Sequence, residues 1–157
     1  MNICLECGIT FDDDEVRRWE EAHGEKMSGC PKCLGGFTRA ERCGKCGEYF
    51  PDGSLYDGIC RNCLEERIDY DTGLQFMEDM GYINLFMMEV VLDGEMPYRV
   101  SDKLAEVLKQ QYRREVVNDK IFGTHTFLDS IRQYILDDDG EYGKDTFAKW
   151  LRRRENL

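Results

Sequence analysis

The chain is poor in the residues that announce catalysis. Its 157 residues include only two histidines, His23 and His125, and neither lies in a recognisable catalytic motif. All eight cysteines fall into pairs suited to metal, so no spare nucleophile remains and the composition argues against an enzyme. Long apolar runs are missing as well. The most apolar stretch, Ile83 to Leu92, is about half of what a bilayer span requires. The opening Met1-Asn2-Ile3-Cys4 has neither the basic start nor the apolar run of a signal peptide. The expected setting is therefore a reducing cytoplasm, where thiols stay free. Positive charge is short too: 21 Lys and Arg stand against 32 Asp and Glu, a formal net charge of −11. A nucleic-acid partner would have to be met by a local basic patch working against that field.

What is present is four Cys-x-x-Cys pairs, at Cys4/Cys7, Cys30/Cys33, Cys43/Cys46 and Cys60/Cys63. Each pair places two thiolates on one tight turn, the bite needed for two corners of a zinc tetrahedron, so the set predicts two structural Cys4 zinc sites. Disulfides are the competing use, but bonding within a pair closes almost no loop. A thioredoxin-like redox motif would need a βαβ setting that is not visible. Sequential pairing puts Cys4, Cys7, Cys30 and Cys33 on one ion and Cys43, Cys46, Cys60 and Cys63 on the other, with 22 and 13 residues intervening. A cross-braced arrangement stays open, although sequential pairing closes the shorter loop at the second site. Eight thiolates and two divalent ions would take the net charge from −11 to −15.

Residues 1–67 hold every cysteine and form the expected metal-binding domain. So short a segment rarely builds an adequate core, and structural zinc contributes roughly 10–16 kcal/mol per site in model peptides. Gly8 follows Cys7, Gly47 follows Cys46, and Gly35 comes two residues after Cys33, as knuckle turns prefer. The first two pairs look like the knuckles of a zinc ribbon. The last two combine a knuckle with a helix start at Leu64–Ile68, in the manner of a treble clef. Phe11, Phe37, Tyr49, Phe50 and Tyr56 are expected to pack around the sites. Residues 12–23 lead with acids and follow with arginines, which suggests a short helix.

Residues 68–157 read as an all-helical domain of about five helices. Thr72 or Asp71 caps the first, which ends at Gly81. Tyr82 to Asp93 forms a buried second, and Ser101 caps a third that runs to about Val117. Its apolar face carries Leu104, Leu108, Tyr112 and Val116, with Val107 beside them. A fourth starts at Thr126, with Phe127, Ile131, Tyr134 and Ile135 inward. The last spans Tyr142 to Arg154 around Phe147, Trp150 and Leu151. Asp137-Asp138-Asp139-Gly140-Glu141 fails the EF-hand template, because Ile135 would occupy the first ligand position. Arg152-Arg153-Arg154 suits the dipole of a final helical turn. Met77, Met80, Met87, Met88 and Met96 read as gap-filling core, with an adaptable groove as the alternative.

The chain resembles a group of small, uncharacterised bacteriophage and prophage proteins with two Cys4 fingers and a helical tail. The likeness rests on Cys30-Pro31-Lys32-Cys33-Leu34-Gly35-Gly36-Phe37, Cys43-Gly44-Lys45-Cys46-Gly47-Glu48, Cys60-Arg61-Asn62-Cys63-Leu64-Glu65-Glu66, and residues 127–139. It implies an intracellular, phage-derived protein and carries no activity to transfer. The expected function is a non-catalytic, zinc-binding protein–protein interaction module, an acidic adaptor or inhibitor whose partner is another protein. The alternative is a zinc-ribbon nucleic-acid binder using Arg39, Arg42, Lys45 and Arg61. Against it, residues 1–67 carry nine basic and 14 acidic side chains.

Overall fold

Strand β1 (Asn2–Cys4) is too short to persist alone and survives because both edges are paired. It lies antiparallel between β2 (Thr10–Phe11) and β5 (Phe37–Arg42), and β5 in turn pairs with β6 (Tyr49–Pro51). The computed structural model describes residues 1–95, 97, 99–137 and 145–155. The chain divides into two compact units, Met1–Cys63 and Leu64–Leu157.

In the first unit the sheet order is β2-β1-β5-β6, with Cys4 opposite Phe37 and Glu41 opposite Phe50. Strand β5 leaves the second cysteine pair and arrives at the third, so one strand ties both pairs to one sheet. Cys4, Phe11, Val16 and Cys30 form a small core, closed by Ile9 and Phe37. Phe11 and Phe37 meet edge to face at 5.4 Å, in line with their expected role. Tyr49 is exposed, while Phe50 and Tyr56 are half-buried.

The helix expected over residues 12–23 does not form. Asp13–Glu15 makes one 3-10 turn, tied by the Asp12 amide donating to Glu15 Oε2 at 2.7 Å. The chain then enters β3 (Arg17–Glu20), which pairs with β4 (Lys26–Gly29). Charges aligned with the helix dipole are worth only about 0.3–1 kcal/mol. A cross-strand ladder satisfies the same backbone groups, and Val16 is buried in the core beside Cys4 and Cys30.

The second unit is helical, as expected. It contains α2 (Tyr70–Asp79), α3 (Ile83–Phe86) running into a π-helical turn over Met87–Val91, α4 (Asp102–Phe122), α5 (Thr126–Leu136) and α6 (Thr146–Glu155). They follow α1 (Arg61–Arg67), whose first turn carries Cys63. The cap of α2 is Asp69, whose carboxylate accepts from the Thr72 amide at 2.7 Å, two or three residues before the expected position. Ser101 caps α4 as predicted, through the Leu104 amide at 3.2 Å. That helix continues past Val117 until Gly123, at φ 62°, provides a left-handed stop. The expected start of the last helix at Tyr142 lies outside the described residues, as do Met96 and most of the acidic run after Asp137.

Phe76, Met77, Phe86, Met87, Leu108, Ile131 and Phe147 are buried at the centre. Phe76 meets Phe147 and Trp150 edge to face at 5.2 and 5.4 Å. Met77 and Met87 are fully buried and Met80 and Met88 half-buried, which fits the gap-filling reading. Val107, expected beside the apolar face, is instead 57% exposed, because α4 buries Leu108, Tyr112 and Asp119, and position 107 falls about 100° from Leu108. Arg154 stacks over the Trp150 ring at 5.2 Å, in keeping with a structural role for the last turn.

Two candidate metal centres

Three of the four knuckles are built by one device, a turn whose fifth residue has positive φ. After Cys4 the chain reverses through Leu5-Glu6-Cys7, and the Gly8 amide donates back to the Cys4 carbonyl at 3.1 Å. Gly47 does the same for Cys43 at 3.0 Å, and both glycines have φ near the left-handed region, 74° and 76°. At Cys30 the closing residue is Leu34, at φ 63°, with its amide 2.9 Å from the Cys30 carbonyl. The expected turn role of Gly35 is therefore taken by its neighbour. Gly35 matters for space, since a Cβ there would lie 2.5 Å from the Glu6 carboxyl carbon.

The turns aim backbone N–H groups at sulfur. Glu6 and Cys7 amides donate to Cys4 Sγ, Lys32 to Cys30 Sγ, Gly35 to Cys33 Sγ and Lys45 to Cys43 Sγ, each at 3.4 Å. The fourth pair sits where α1 begins, and there the Cys60 amide donates to Cys43 Sγ at 3.3 Å. Cys4, Cys30, Cys43 and Cys60 are buried, while Cys7, Cys33 and Cys46 face solvent and Cys63 is half-buried. One thiol of each pair thus anchors in the interior and the other closes the site from outside.

The eight sulfurs gather into two sets, Cys4, Cys7, Cys30 and Cys33, and Cys43, Cys46, Cys60 and Cys63. Within each set every ligand atom lies within 4.8 Å of the others. Pairing is sequential, and the cross-braced alternative is ruled out. Cys4–Cys33 and Cys7–Cys30 sulfurs are 3.5 and 3.7 Å apart; Cys43–Cys63 and Cys46–Cys60 are 4.0 and 3.9 Å apart. These spacings are far beyond the roughly 2.05 Å of a disulfide. They match the edge of about 3.8 Å that a tetrahedron with metal–sulfur bonds of about 2.3 Å would have. The donor set fits a four-coordinate ion that prefers thiolate.

Electrostatics agree. Amide donation from Cys7, foremost, lowers the Cys4 thiol to about 6, despite burial. At Cys43 burial pushes up, but donation from Cys60, Cys46 and Lys45 prevails and brings it to about 6. Cys33 receives a favourable amide bond from Gly35, yet its sulfur neighbours raise it to about 12. Burial and the adjacent sulfurs push Cys63 up to about 12. Four thiolates cannot share so small a volume unless a cation neutralises them.

Neither histidine belongs to these centres: His23 is exposed in the turn between β3 and β4, and His125 is exposed at the start of α5. Arg42 has a supporting role that its position in the sequence did not signal. Its Nε donates to the Gly47 carbonyl at 2.9 Å and its guanidinium lies 6.0 Å from the Tyr49 ring centre, bracing the third knuckle. No described helix is long and apolar enough to cross a membrane. Comparisons with protein-family models, curated proteins and solved structures gave no match.

Proposed function

We propose that both centres hold structural zinc, the first as a zinc ribbon and the second as a treble-clef-like site, and that the chain is a non-catalytic protein-interaction module. The observation that carries this reading is closure. Each centre offers four sulfurs at tetrahedral spacing, leaving no corner for water or substrate. All-sulfur donors suit zinc and disfavour the hard cations calcium and magnesium. The function is then display. The knuckles hold Leu5 and Leu34 outward, 61% and 52% exposed, on the turns of the first centre, where large apolar side chains have no core to fill. An acidic, phage-derived adaptor or inhibitor working in the cytoplasm is the form of module that the charge and the resemblance favour.

The test has two arms. Native mass spectrometry should find two zinc ions per chain, and chelation should unfold residues 1–63 while the helical signal persists. Affinity purification from cell extract, with and without nuclease, should recover a protein that Leu5→Ser with Leu34→Ser releases without loss of zinc. Recovery of nucleic acid alone would overturn the protein-partner reading in favour of the exposed Arg39 and Lys45. A metal-free, reduced protein with an unchanged near-UV spectrum would overturn the zinc assignment.

A further inference from the structure

Helix α4 buries Leu108, Tyr112 and Asp119 on one side. On the other, Val107, Val117 and Ile121 stand 57%, 52% and 70% exposed. They are not scattered. Lys103, Val107, Gln110, Arg114, Val117 and Ile121 recur at alternating steps of four and three, and all six are exposed. At about 3.6 residues per turn, this spacing draws a single stripe opposite the buried residues. A four-three stripe is the seam on which helices pair as a coiled coil, and the 21 residues of α4 supply three heptads. A lone exposed valine needs no explanation; three apolar residues on one seam fit a helical partner.

Charge indicates which helix. Asp102 and Glu106 flank the N-terminal end of the seam, and Lys120 lies on the same flank near the C-terminal end. Parallel self-pairing would stack Lys103 on Lys103 and Arg114 on Arg114. Antiparallel pairing with Val107 opposite Val117 of a second copy removes both clashes. It sets Gln110 against Arg114, lays the Lys103 stem along Ile121, and brings Lys120 between Asp102 and Glu106 of the other chain. The seam is therefore complementary to itself under a twofold axis. Lys120 is exposed, and its ammonium rests 5.7 Å from the Tyr70 ring centre. Arg113 meets its own counterpart across the axis, a like-charge contact that keeps the pair modest in strength.

We propose that the outward face of α4 is the docking surface for α4 of a second copy of this chain, antiparallel and in this register. The proposal is independent of the zinc reading. Sedimentation equilibrium of the zinc-loaded full chain, from micromolar to millimolar concentration, should show a monomer–dimer equilibrium. Val117→Glu, at an exposed position, should be monomeric throughout with unchanged helical circular dichroism. Glu106→Lys should weaken the dimer by about three- to thirtyfold, since two exposed pairs are lost. Adding Lys120→Glu to the same chain should restore it. A wild-type chain that stays monomeric at the highest concentration, a dimer that survives Val117→Glu, or a double swap that fails to restore association would each overturn the proposal. A dimer abolished by chelation and indifferent to Val117→Glu would also overturn it, while leaving the zinc reading intact.

Discussion

Replacing Asp119 should cost the helical unit more than any other single change to a polar side chain described above. This carboxylate is 4% exposed, in the last turns of α4. It accepts from the Phe127 amide at 3.0 Å, the Leu128 amide at 2.9 Å and the Tyr70 hydroxyl at 2.9 Å. The two amides are the first-turn donors of α5, whose own cap residue, His125, has left-handed backbone at φ 54° and makes no side-chain cap. Asp119 thus caps a helix from another helix. Asp119→Ala strands two buried amides, each worth about 1–3 kcal/mol when left without a partner, and the part-buried Tyr70 hydroxyl. Water can reach part of the space through an adjoining surface cleft of about 200 Å³ lined by Val90, Glu115 and Ser130. The expected loss is therefore about 3–4 kcal/mol, below the sum of the three. Asp119→Asn keeps one acceptor but turns an amide toward a donor, for a loss of about 1.5–3 kcal/mol. Urea unfolding of the zinc-loaded chain, followed at 222 nm, measures both. Losses under about 1 kcal/mol, or Asn costing more than Ala, would refute the reasoning. Acid gives a second check. Burial pushes the Asp119 pKa up, but the Phe127, Leu128 and Tyr70 bonds outweigh it and hold it below the ordinary carboxylate value. A depressed folded pKa means the contribution is complete above the unfolded value of about 4 and is lost as pH falls through the lower folded one. The acid-side loss of stability should accordingly be shallower in Asp119→Asn than in wild type.

Two glycines give further predictions. A Cβ on Gly29 would lie 2.4 Å from the Leu34 carbonyl oxygen, a backbone atom of the second knuckle. Gly29→Ala should therefore weaken zinc at the first centre by tenfold or more while the second keeps its ion, as competition with a chromogenic chelator would show; equal affinities would count against it. Gly73 lies in α2, and a Cβ there would meet Ile131 Cγ2 at 2.6 Å. Alanine is intrinsically the better helix former by about 1 kcal/mol. The clash should reverse that sign, so Gly73→Ala lowers stability by about 1–3 kcal/mol in the urea titration. A stabilised variant would mean the helices can move apart freely.

Much of this architecture was legible because its signals are local. A Cys-x-x-Cys turn, a Ser101 cap and the period of Leu108 and Tyr112 each depend on neighbours within one turn, so they survive in the bare sequence. The helix expected at residues 12–23 failed for the opposite reason. Its charge order was a weak local preference, overridden by pairing of Arg17–Glu20 with Lys26–Gly29, which sequence does not announce. Val107 was misplaced because an apolar residue at the rim of a helical face is ambiguous until the packing side is known.

The sequence by itself determined the eight thiols, their four turns and the division between a cysteine-rich part and a helical part, since ligand chemistry and periodicity are written in residue type and spacing. Only the tertiary structure decided which pairs share a centre, that Leu34 rather than Gly35 takes the left-handed turn, and that Asp119 caps α5. Those are outcomes of three-dimensional closure. Sulfurs 23 and 29 residues apart come within 3.7 and 3.5 Å because β1 and β5 pair, and no property of the isolated residues fixes that pairing.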